Sequence, residues 1–371
     1  MTSATTTTSP SSASMDSSSH SRGRGIPLPE PGFTSPGRAR RRARYYLVTI
    51  FLAIFTASLW YINIALGDPQ YSPEEIWNVL RGADAPGAAF IVGELRLPRA
   101  TLALVVGAAF GMAGRASQTM LRNYLASPDI IGINAGASTA AVIAILLFGL
   151  SGMTVNIIAV TAGLATALVV FFLSGGATGT HGGRLILIGI GTAAVFSAVT
   201  NYVILRANTL DIPKATRWLN GSLNEASWDD VVLVATALLI LGASLLFVAR
   251  DLPALRLGNE AATSLGVHTS RASLGLLIIL VALSAFAAAT TGPIAFVSFL
   301  SGPVTAALIG PTSRNLLGAS ALSGSALVLG ADFLGQYAFP TALPVGVVTG
   351  IIGAPYLIAQ LVRMNRRGAA A

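Results

Sequence analysis

Cysteine is absent from this chain of 371 residues, and histidine occurs only three times. The absence of cysteine excludes disulfide bonds, thiolate metal ligands and cysteine nucleophiles. His20, His181 and His268 lie far apart in the sequence and suggest no metal site. No serine–histidine–aspartate set and no pair of carboxylates stands out for hydrolysis. We therefore predict neither catalytic residues nor a bound metal.

Lysine is nearly absent as well, since Lys214 is the only one. A Walker A loop needs a lysine at the end of a glycine-rich stretch in order to reach the nucleotide phosphates. The glycine-rich stretch 175–183 has no lysine, and we interpret it as a flexible connection in which Thr178, Gly179 and Thr180 form a candidate gate. The chain itself is thus expected neither to hydrolyse ATP nor to bind a cofactor.

Charged residues make up only 10% of the chain, whereas soluble domains carry about 25%. Hydrophobic residues make up 53%, and the mean hydropathy is +0.70. This composition indicates a polytopic membrane protein, in which helices satisfy their backbone hydrogen bonds internally. The 39 glycines allow such helices to approach one another closely in lipid.

Ten apolar segments approach the length of about 20 residues that a membrane-spanning helix needs. They comprise residues 46–66, 100–116, 130–150, 155–173, 185–205, 231–248, 274–289, 294–309, 316–333 and 345–362. The sequence therefore predicts an all-α membrane protein with ten transmembrane helices.

The formal net charge of +8 reflects arginines between the spans, which favours a topology signal over binding of nucleic acid. With the N-terminus inside, 17 of the 23 basic residues fall in inner segments and six in outer segments. Because basic residues prefer the cytoplasmic side, we predict a plasma-membrane protein with both termini in the cytoplasm. We expect residues 1–44 to be a disordered basic tail, 45–365 the transmembrane domain and 366–371 a C-terminal tail.

Arg96 and Arg99 are an exception to this charge rule, because they fall on the predicted outer face just before the second span. A surface that docks an acidic partner would explain a basic pair at this place. In the same outer loop, Ser72 followed by Pro73, Glu74 and Glu75 is typical of a helix start and predicts a short surface helix over 73–80.

The second long outer loop, 208–230, contains Trp218 and Trp228. Tryptophan is enriched at membrane–water interfaces, where the ring is half in lipid and the indole N–H reaches polar groups. We interpret both residues as interface anchors.

The long inner loop 250–271 contains a second short helix signal. Asn259 can cap its N-terminus, Glu260 suits its first turn and Gly266 can end it. Its small and apolar side chains form one face, and the whole candidate loop comprises Gly258, Asn259, Glu260, Ala261, Ala262, Leu265 and Gly266. Such a face can enter a groove on a cytosolic partner or lie against the inner ends of the spans, and spacing alone leaves both interpretations open.

Asp332, near the outer end of the ninth span, is the strongest intramembrane candidate for a proton relay. The alternative is that its carboxylate caps a helix or reaches the interface.

Glycine–proline pairs late in the chain, including Gly292-Pro293 and Gly302-Pro303, predict breaks in helices. Broken backbone at membrane depth lines a cavity or is buried in protein, so Gly292 and Pro293 are candidate pathway residues, with tight turns as the alternative.

These residues together resemble the FecCD-type permeases, the membrane subunits of ABC importers for ferric siderophores, haem and vitamin B12. The matching segments are 94–99 (Glu-Leu-Arg-Leu-Pro-Arg), 106–109 (Val-Gly-Ala-Ala), Gln118, 122–123 (Arg-Asn), 132–137 (Gly-Ile-Asn-Ala-Gly-Ala), 218–223 (Trp-Leu-Asn-Gly-Ser-Leu), 266–267 (Gly-Val), 292–297 (Gly-Pro-Ile-Ala-Phe-Val), 343–349 (Leu-Pro-Val-Gly-Val-Val-Thr) and 352–355 (Ile-Gly-Ala-Pro). They occur in the family's order and cover about residues 45–365.

The resemblance implies a bundle like that of the vitamin B12 importer permease, paired with a second permease copy or a paralogue. It also implies a substrate-binding protein outside and two ATPase subunits inside, which carry ATP and magnesium. In the family, acidic residues of the binding protein dock onto permease arginines, and Arg96 and Arg99 match those positions. The loop 258–267 matches the coupling helix that enters the ATPase.

The chain departs from the family pattern at Tyr124, where a proline is usual, and at Gln336, where a further docking arginine is often found. The leading hypothesis is a permease for ferric siderophores, with haem or vitamin B12 as the alternative cargo. A proton-coupled secondary carrier that uses Asp332 is a rival from another class, and a membrane subunit without a transport role is a third.

Overall fold

The computed structural model describes residues 36–82, 87–121, 123, 126–175, 182–249, 263, 264, 266, 268–310, 312 and 315–368. Backbone contacts divide the chain into Met1–Arg40 and Arg41–Ala371. Of the first unit, the described residues 36–40 form the start of a helix. The second unit holds the remainder of the described fold.

The described residues form helices and contain no strand. We number them α1 (Pro36–Ala65), α2 (Pro73–Leu80), α3 (Ala88–Met120), α4 (Ile133–Phe148), α5 (Met153–Leu173), α6 (Gly182–Arg206), α7 (Ile212–Leu219), α8 (Trp228–Val248), α9 (Thr269–Thr291), α10 (Val297–Ile309), α11 (Leu317–Tyr337) and α12 (Val345–Gly368). Pro128–Ile131 adds one 3₁₀ turn.

Ten of these helices coincide with the ten predicted spans. By length and composition, α1, α3, α5, α6, α8, α9 and α11 can each cross a membrane, and α4, α10 and α12 contain shorter apolar helices. The prediction of an all-α membrane bundle is therefore confirmed.

The predicted tails begin and end differently in the structure. Helix α1 starts at Pro36, so residues 36–44 are helical rather than disordered. Proline suits the first position of a helix, and alanine and arginine, which dominate the next residues, are strong helix formers. At the other end α12 continues to Gly368, three residues into the expected C-terminal tail.

The bundle has two ends, which we call the upper and lower faces. The upper face holds the connecting residues 66–72, 207–211, 220–227 and 338–344, and the lower face holds 126–132, 310, 312, 315 and 316. Hydrogen bonds link separate helices at each face. On the upper face, the Tyr337 hydroxyl at the end of α11 donates to the Leu66 carbonyl after α1, at 2.8 Å. On the lower face, the Arg44 Nε and Nη2 atoms donate to the Leu308 carbonyl at 3.1 and 2.9 Å.

Helix α3 lies at the centre of the bundle and packs most closely on α11. Gly107 meets the backbone at Gly324 and Ser325, and Gly111 meets the backbone at Ser320, so a side chain at either glycine would collide with α11. Small residues let transmembrane helices approach to backbone contact. The abundance of glycine thus allows the close approach of helices that the sequence predicts.

Pro303 corrects one expectation, because α10 continues through it without a break. A proline in a helix removes one N–H and leaves the carbonyl four residues earlier without its partner. That carbonyl belongs to Phe299, and the Gln118 side chain of α3 donates to it at 3.1 Å. Gly302 provides the space for the Gln118 amide. A hydrogen bond from a neighbouring helix therefore keeps α10 intact.

Candidate functional site: an arginine-lined cavity at the upper face

Arg96 and Arg99 lie at the upper end of α3, where the helix changes its winding. Residues Ile91–Arg96 form π-type turns, and Leu97–Met120 continue as a regular α-helix. A spacing of three residues places two side chains on one side of a helix. The structure brings both arginines to the same cavity.

Arg99 forms an ion pair with Asp332 of α11 through two parallel hydrogen bonds. Its Nε atom lies 3.0 Å from Oδ2, and its Nη2 atom lies 2.8 Å from Oδ1. The Asp332 side chain is 2% exposed and that of Arg99 is 22% exposed. Gln336, one turn further along α11, donates to Oδ2 at 2.8 Å. The buried carboxylate thus has three donors, as a buried charge requires.

Arg96 ties the end of α1 to the loop that follows it. Its Nη1 and Nη2 atoms donate to the carbonyls of Ile64 at 3.2 Å and Pro69 at 2.8 Å. The Tyr71 ring lies 5.6 Å from the guanidinium carbon. Ile64 belongs to the last turn of α1, whose carbonyls have no partner within the helix and carry partial negative charge. The arginine satisfies one of these carbonyls.

The two arginines line a cavity of about 380 Å³ at the upper face. Its lining comprises Asn63, Gly67, Asp68, Ile91, Leu95, Arg96, Arg99, Ala100, Leu223, Asn224, Ala226, Asp332, Gln336 and Tyr337. Two arginines and two aspartates give these lining residues no net formal charge. The sequence suggested a basic patch, whereas the fold supplies each arginine with acceptors of its own.

The surface helix predicted over 73–80 is confirmed as α2 beside this cavity. The Ser72 hydroxyl accepts from the Glu75 N–H, and the Glu75 carboxylate accepts from the Ser72 N–H at 2.7 Å. Hydrogen bonds from the Ser72 backbone and hydroxyl lower the pKa of Glu75. This reciprocal cap is the one that a serine followed three residues later by a glutamate predicts.

Gly292 and Pro293, the candidate pathway residues, lie at the break between α9 and α10 on the upper face. Gly292 has a φ of 71° and faces the Trp218 carbonyl, so no side chain fits there. The Ser222 N–H donates to the Thr291 carbonyl at 2.7 Å, and the Gly346 N–H donates to the Gly221 carbonyl at 3.1 Å. Three motifs that are distant in sequence, at 218–223, 291–294 and 343–346, therefore meet at one junction.

Most of the inner candidates lie outside the described residues. This applies to Thr178, Gly179 and Thr180 of the candidate gate and to Gly258, Asn259, Glu260, Ala261, Ala262 and Leu265 of the candidate coupling loop. Gly266 is described: it is exposed, has a φ of 84° and donates to the Thr263 carbonyl at 2.9 Å. That left-handed conformation suits a residue that ends a helix.

Asp129, in the 3₁₀ turn between α3 and α4, is a titratable group that the sequence did not single out. The Asn134 side chain donates to its carboxylate at 2.5 Å. Burial raises the pKa of Asp129 to about 6, and hydrogen bonds from Ser127 and Asn134 offset part of the rise. In the part of the chain that the structure describes, no three His, Asp or Glu side chains converge as metal ligands would.

Among the described residues, ten apolar helices form a bundle with a polar cavity at one end, which is the architecture of a multi-pass membrane protein. Residues 52–363 match the model of the FecCD transport family. This chain belongs to the FecCD transport family, and it is a permease subunit of the ABC importer type.

Relatives of known role extend along almost the whole chain. The ferric enterobactin transport system permease protein FepG of Escherichia coli K12 is 34% identical over 330 residues, which cover 88% of this chain and 98% of FepG. The Fe(3+)-citrate import system permease protein YfmE of Bacillus subtilis 168 is 35% identical over 320 residues, covering 86% of this chain and 96% of YfmE.

A solved structure has the same fold. It is described as an inward-facing conformation of a metal-chelate type ABC transporter, and it shares 25% sequence identity with this chain. The superposition has a TM-score of 0.76 and covers 85% of this chain and 99% of that one.

Proposed function

We propose that this chain is the permease of an ATP-driven importer for ferric siderophores. Iron-chelate permeases are the relatives that match it over most of its length, which is the observation that carries the proposal. Haem and vitamin B12 are the alternative cargoes. The permease forms the membrane path and changes no chemical bond, while ATP and magnesium bind to separate ATPase subunits.

The upper face is assigned to the outside of the cell, with both termini in the cytoplasm. The excess of arginine in the connections of the lower face and in the two termini supports this orientation. The cavity with Arg96 and Arg99 then opens toward the extracytoplasmic side.

Docking of a substrate-binding protein is assigned to these two arginines. A guanidinium carries five N–H groups, and the contacts described above use two of those of each arginine. Three N–H groups on each side chain remain for carboxylates of an incoming partner. Arginine suits this role because its planar donors match a carboxylate at two points.

Reversing the charge of both arginines tests the docking proposal. In the transporter assembled with its ATPase and binding protein, Arg96→Glu combined with Arg99→Glu is expected to abolish stimulation of ATP hydrolysis by the loaded binding protein. Basal hydrolysis should survive. Arg81→Glu is the matched control, because Arg81 is exposed on the same face and stacks on Trp77. Stimulation that persists in the double variant would contradict the proposal.

The loop 258–267 is assigned to contact the ATPase subunits on the cytoplasmic side. Replacing Ala261 and Leu265 with aspartate would place charges on the apolar face that the sequence predicts for this loop. We expect this variant to lose uptake of labelled ferric siderophore while it still binds the loaded binding protein. Unchanged uptake would favour a membrane subunit without a transport role.

Transport without the ATPase decides between the importer and a proton-coupled carrier. The two-point contact between Asp332 and Arg99 favours a charge that is held in place over a proton relay. Vesicles that lack the ATPase subunits are expected to show no uptake of ferric siderophore, haem or vitamin B12, with or without a proton gradient. Uptake by such vesicles would favour the carrier, and the cargo taken up by the complete transporter identifies the substrate class.

A further inference from the structure

The π-type turns at the start of α3 accommodate Pro98, which lies between the two docking arginines. A proline inside an α-helix has no N–H to donate, and its ring collides with the carbonyl four residues earlier, here that of Glu94. The turns of Ile91–Arg96 are wider than α-helical turns, which moves this carbonyl away from the ring. Wide turns of this kind are rare and occur often at functional sites.

In the wide turns the Gly93 carbonyl has no helical partner. In a regular α-helix the Leu97 N–H would donate to it, but Leu97 donates to Val92 instead. The next donor in the wider register would be residue 98, and proline has none. This oxygen can therefore accept from a donor elsewhere in the fold.

The donor is the indole of Trp228. Its Nε1 atom lies 3.0 Å from the Gly93 oxygen. Trp228 is the first residue of α8, and its place is fixed by a reciprocal cap between Ser227 and Asp230, with the hydroxyl 2.7 Å from the carboxylate. The tryptophan that the sequence suggests as a general interface anchor thus has a specific backbone partner.

The same arrangement occurs a second time in the chain. Pro303 frees the Phe299 carbonyl in α10, and Gln118 from α3 donates to it. In both places a proline lacks the N–H that a helix would use, and a side chain of another helix donates to the carbonyl left without that partner. The fold therefore accommodates these two prolines in a similar way.

We infer that Trp228 is a positioning residue for docking: by holding the Gly93 carbonyl, it maintains the wide turns that set the direction of Arg96 relative to Arg99. Conversion of one wide turn to an α-helical turn would rotate the segment before it by one residue, about 100° around the axis. Ile91 and Leu95, which line the cavity, would move with it. The inference rests on the proposed docking function of the arginines.

The test compares Trp228→Phe, which keeps the ring and loses the donor, with wild type in the transporter assembled with its ATPase and binding protein. We expect the affinity for the loaded binding protein to fall about fivefold, the size of one net hydrogen bond. Basal ATP hydrolysis should be unchanged. Trp77→Phe is the matched control, since Trp77 lies on the same face and is exposed, and it should bind like wild type.

Pro98→Ala supplies the decisive comparison, because residue 98 then has an N–H that can reach the Gly93 carbonyl. In this background Trp228→Phe should change the affinity by less than about twofold, so that the two substitutions are strongly coupled. Amide hydrogen exchange over residues 91–99 should be faster in Trp228→Phe and return to the parent rate in the double variant. If Trp228→Phe does not fold, Pro98→Ala is expected to restore folding.

Several results would overturn the inference. The affinity of Trp228→Phe could equal that of wild type, its loss could be the same with Pro98 and with Ala at position 98, or Pro98→Ala could fail to restore folding. If charge reversal of Arg96 and Arg99 also leaves docking intact, the proposed docking function is wrong. If that reversal abolishes docking while Trp228→Phe leaves the affinity for the binding protein unchanged, only the proposed role of Trp228 is wrong.

Discussion

Arg99 and Asp332 are 233 positions apart in sequence and form a two-point ion pair across the contact between α3 and α11. The aspartate is buried, and the arginine reaches the cavity wall. In the proposed docking, a carboxylate of the partner would meet an arginine that already holds an internal carboxylate. It would add a second anion to Arg99 and would not fill an empty site.

The ion pair gives a prediction for stability. Arg99→Ala leaves the buried Asp332 carboxylate without its cation, and we expect the free energy of unfolding to fall by about 3 kcal/mol. The double variant Arg99→Ala, Asp332→Ala should lose less than the sum of the two single variants, because neither charge remains buried alone. Unfolding in mixed detergent micelles measures these values, and additive losses would contradict the pairing.

Ionic strength should weaken docking if the arginines of the upper face carry it. The screening length falls from about 8 Å at 0.15 M salt to about 3 Å at 1 M. We expect the dissociation constant of the loaded binding protein to rise several-fold over this range. A variant with Arg96→Gln and Arg99→Gln should bind more weakly and show a smaller salt dependence. An equal dependence in both proteins would place the responsible charges elsewhere.

Two glycines of α11 allow a matched test of close packing. A side chain at Gly324 would collide with the backbone of α3 at Gly107, whereas nothing lies near the corresponding position at Gly318. We expect Gly324→Ala to destabilise the protein by about 1–3 kcal/mol through overpacking. Gly318→Ala should be neutral or stabilise it by up to about 1 kcal/mol, because alanine is the better helix former. Equal effects on the thermal midpoint would contradict backbone contact at Gly324.

Asp129 predicts how stability depends on pH. Burial raises its folded-state pKa to about 6, from the ordinary value of 3.8. Between these values the folded state binds more protons than the unfolded state, so the free energy of unfolding should fall as the pH rises from about 4 to about 6. The fall contributed by this group is at most about 3 kcal/mol.

Asp129→Asn should remove this part of the pH dependence and leave the rest. Thermal midpoints of both proteins at pH values from about 4 to about 7 measure the difference. Asp229→Asn, a change at an exposed acid, serves as the control. The same pH profile in Asp129→Asn and wild type would show that Asp129 does not titrate in this range.

Local signals in the sequence predicted much of the fold. The ten spans follow from apolar length, and α2 follows from the cap formed by Ser72 and Glu75, because both signals act within a few residues. The continuity of α10 through Pro303 could not be predicted in this way. It depends on Gln118, which is distant in sequence and becomes a donor only once α3 and α10 are packed.

In the candidate site, too, local features could be predicted from the sequence, whereas contacts between distant helices could not. The sequence identified Arg96 and Arg99 by their positive charge on the predicted outer side, and it suggested Asp332 separately as a proton relay. Pairing of Arg99 with Asp332 depends on the packing of α3 on α11, for which a single sequence has no local pattern. The contact between Trp228 and Gly93 was missed for the same reason, although Pro98 was a visible sign that a carbonyl nearby would need a donor.

The glycine contacts between α3 and α11 have a mechanical consequence. The backbones of the two helices touch at Gly107 and Gly324, with no side chains between them. One helix therefore cannot slide or rotate against the other without losing this close packing. The Ser325 hydroxyl donates to the Leu104 carbonyl at 2.7 Å and adds a hydrogen bond to the contact between the two helices. The two helices are therefore expected to move as one rigid unit, so that a conformational change of the bundle would involve the helices around them.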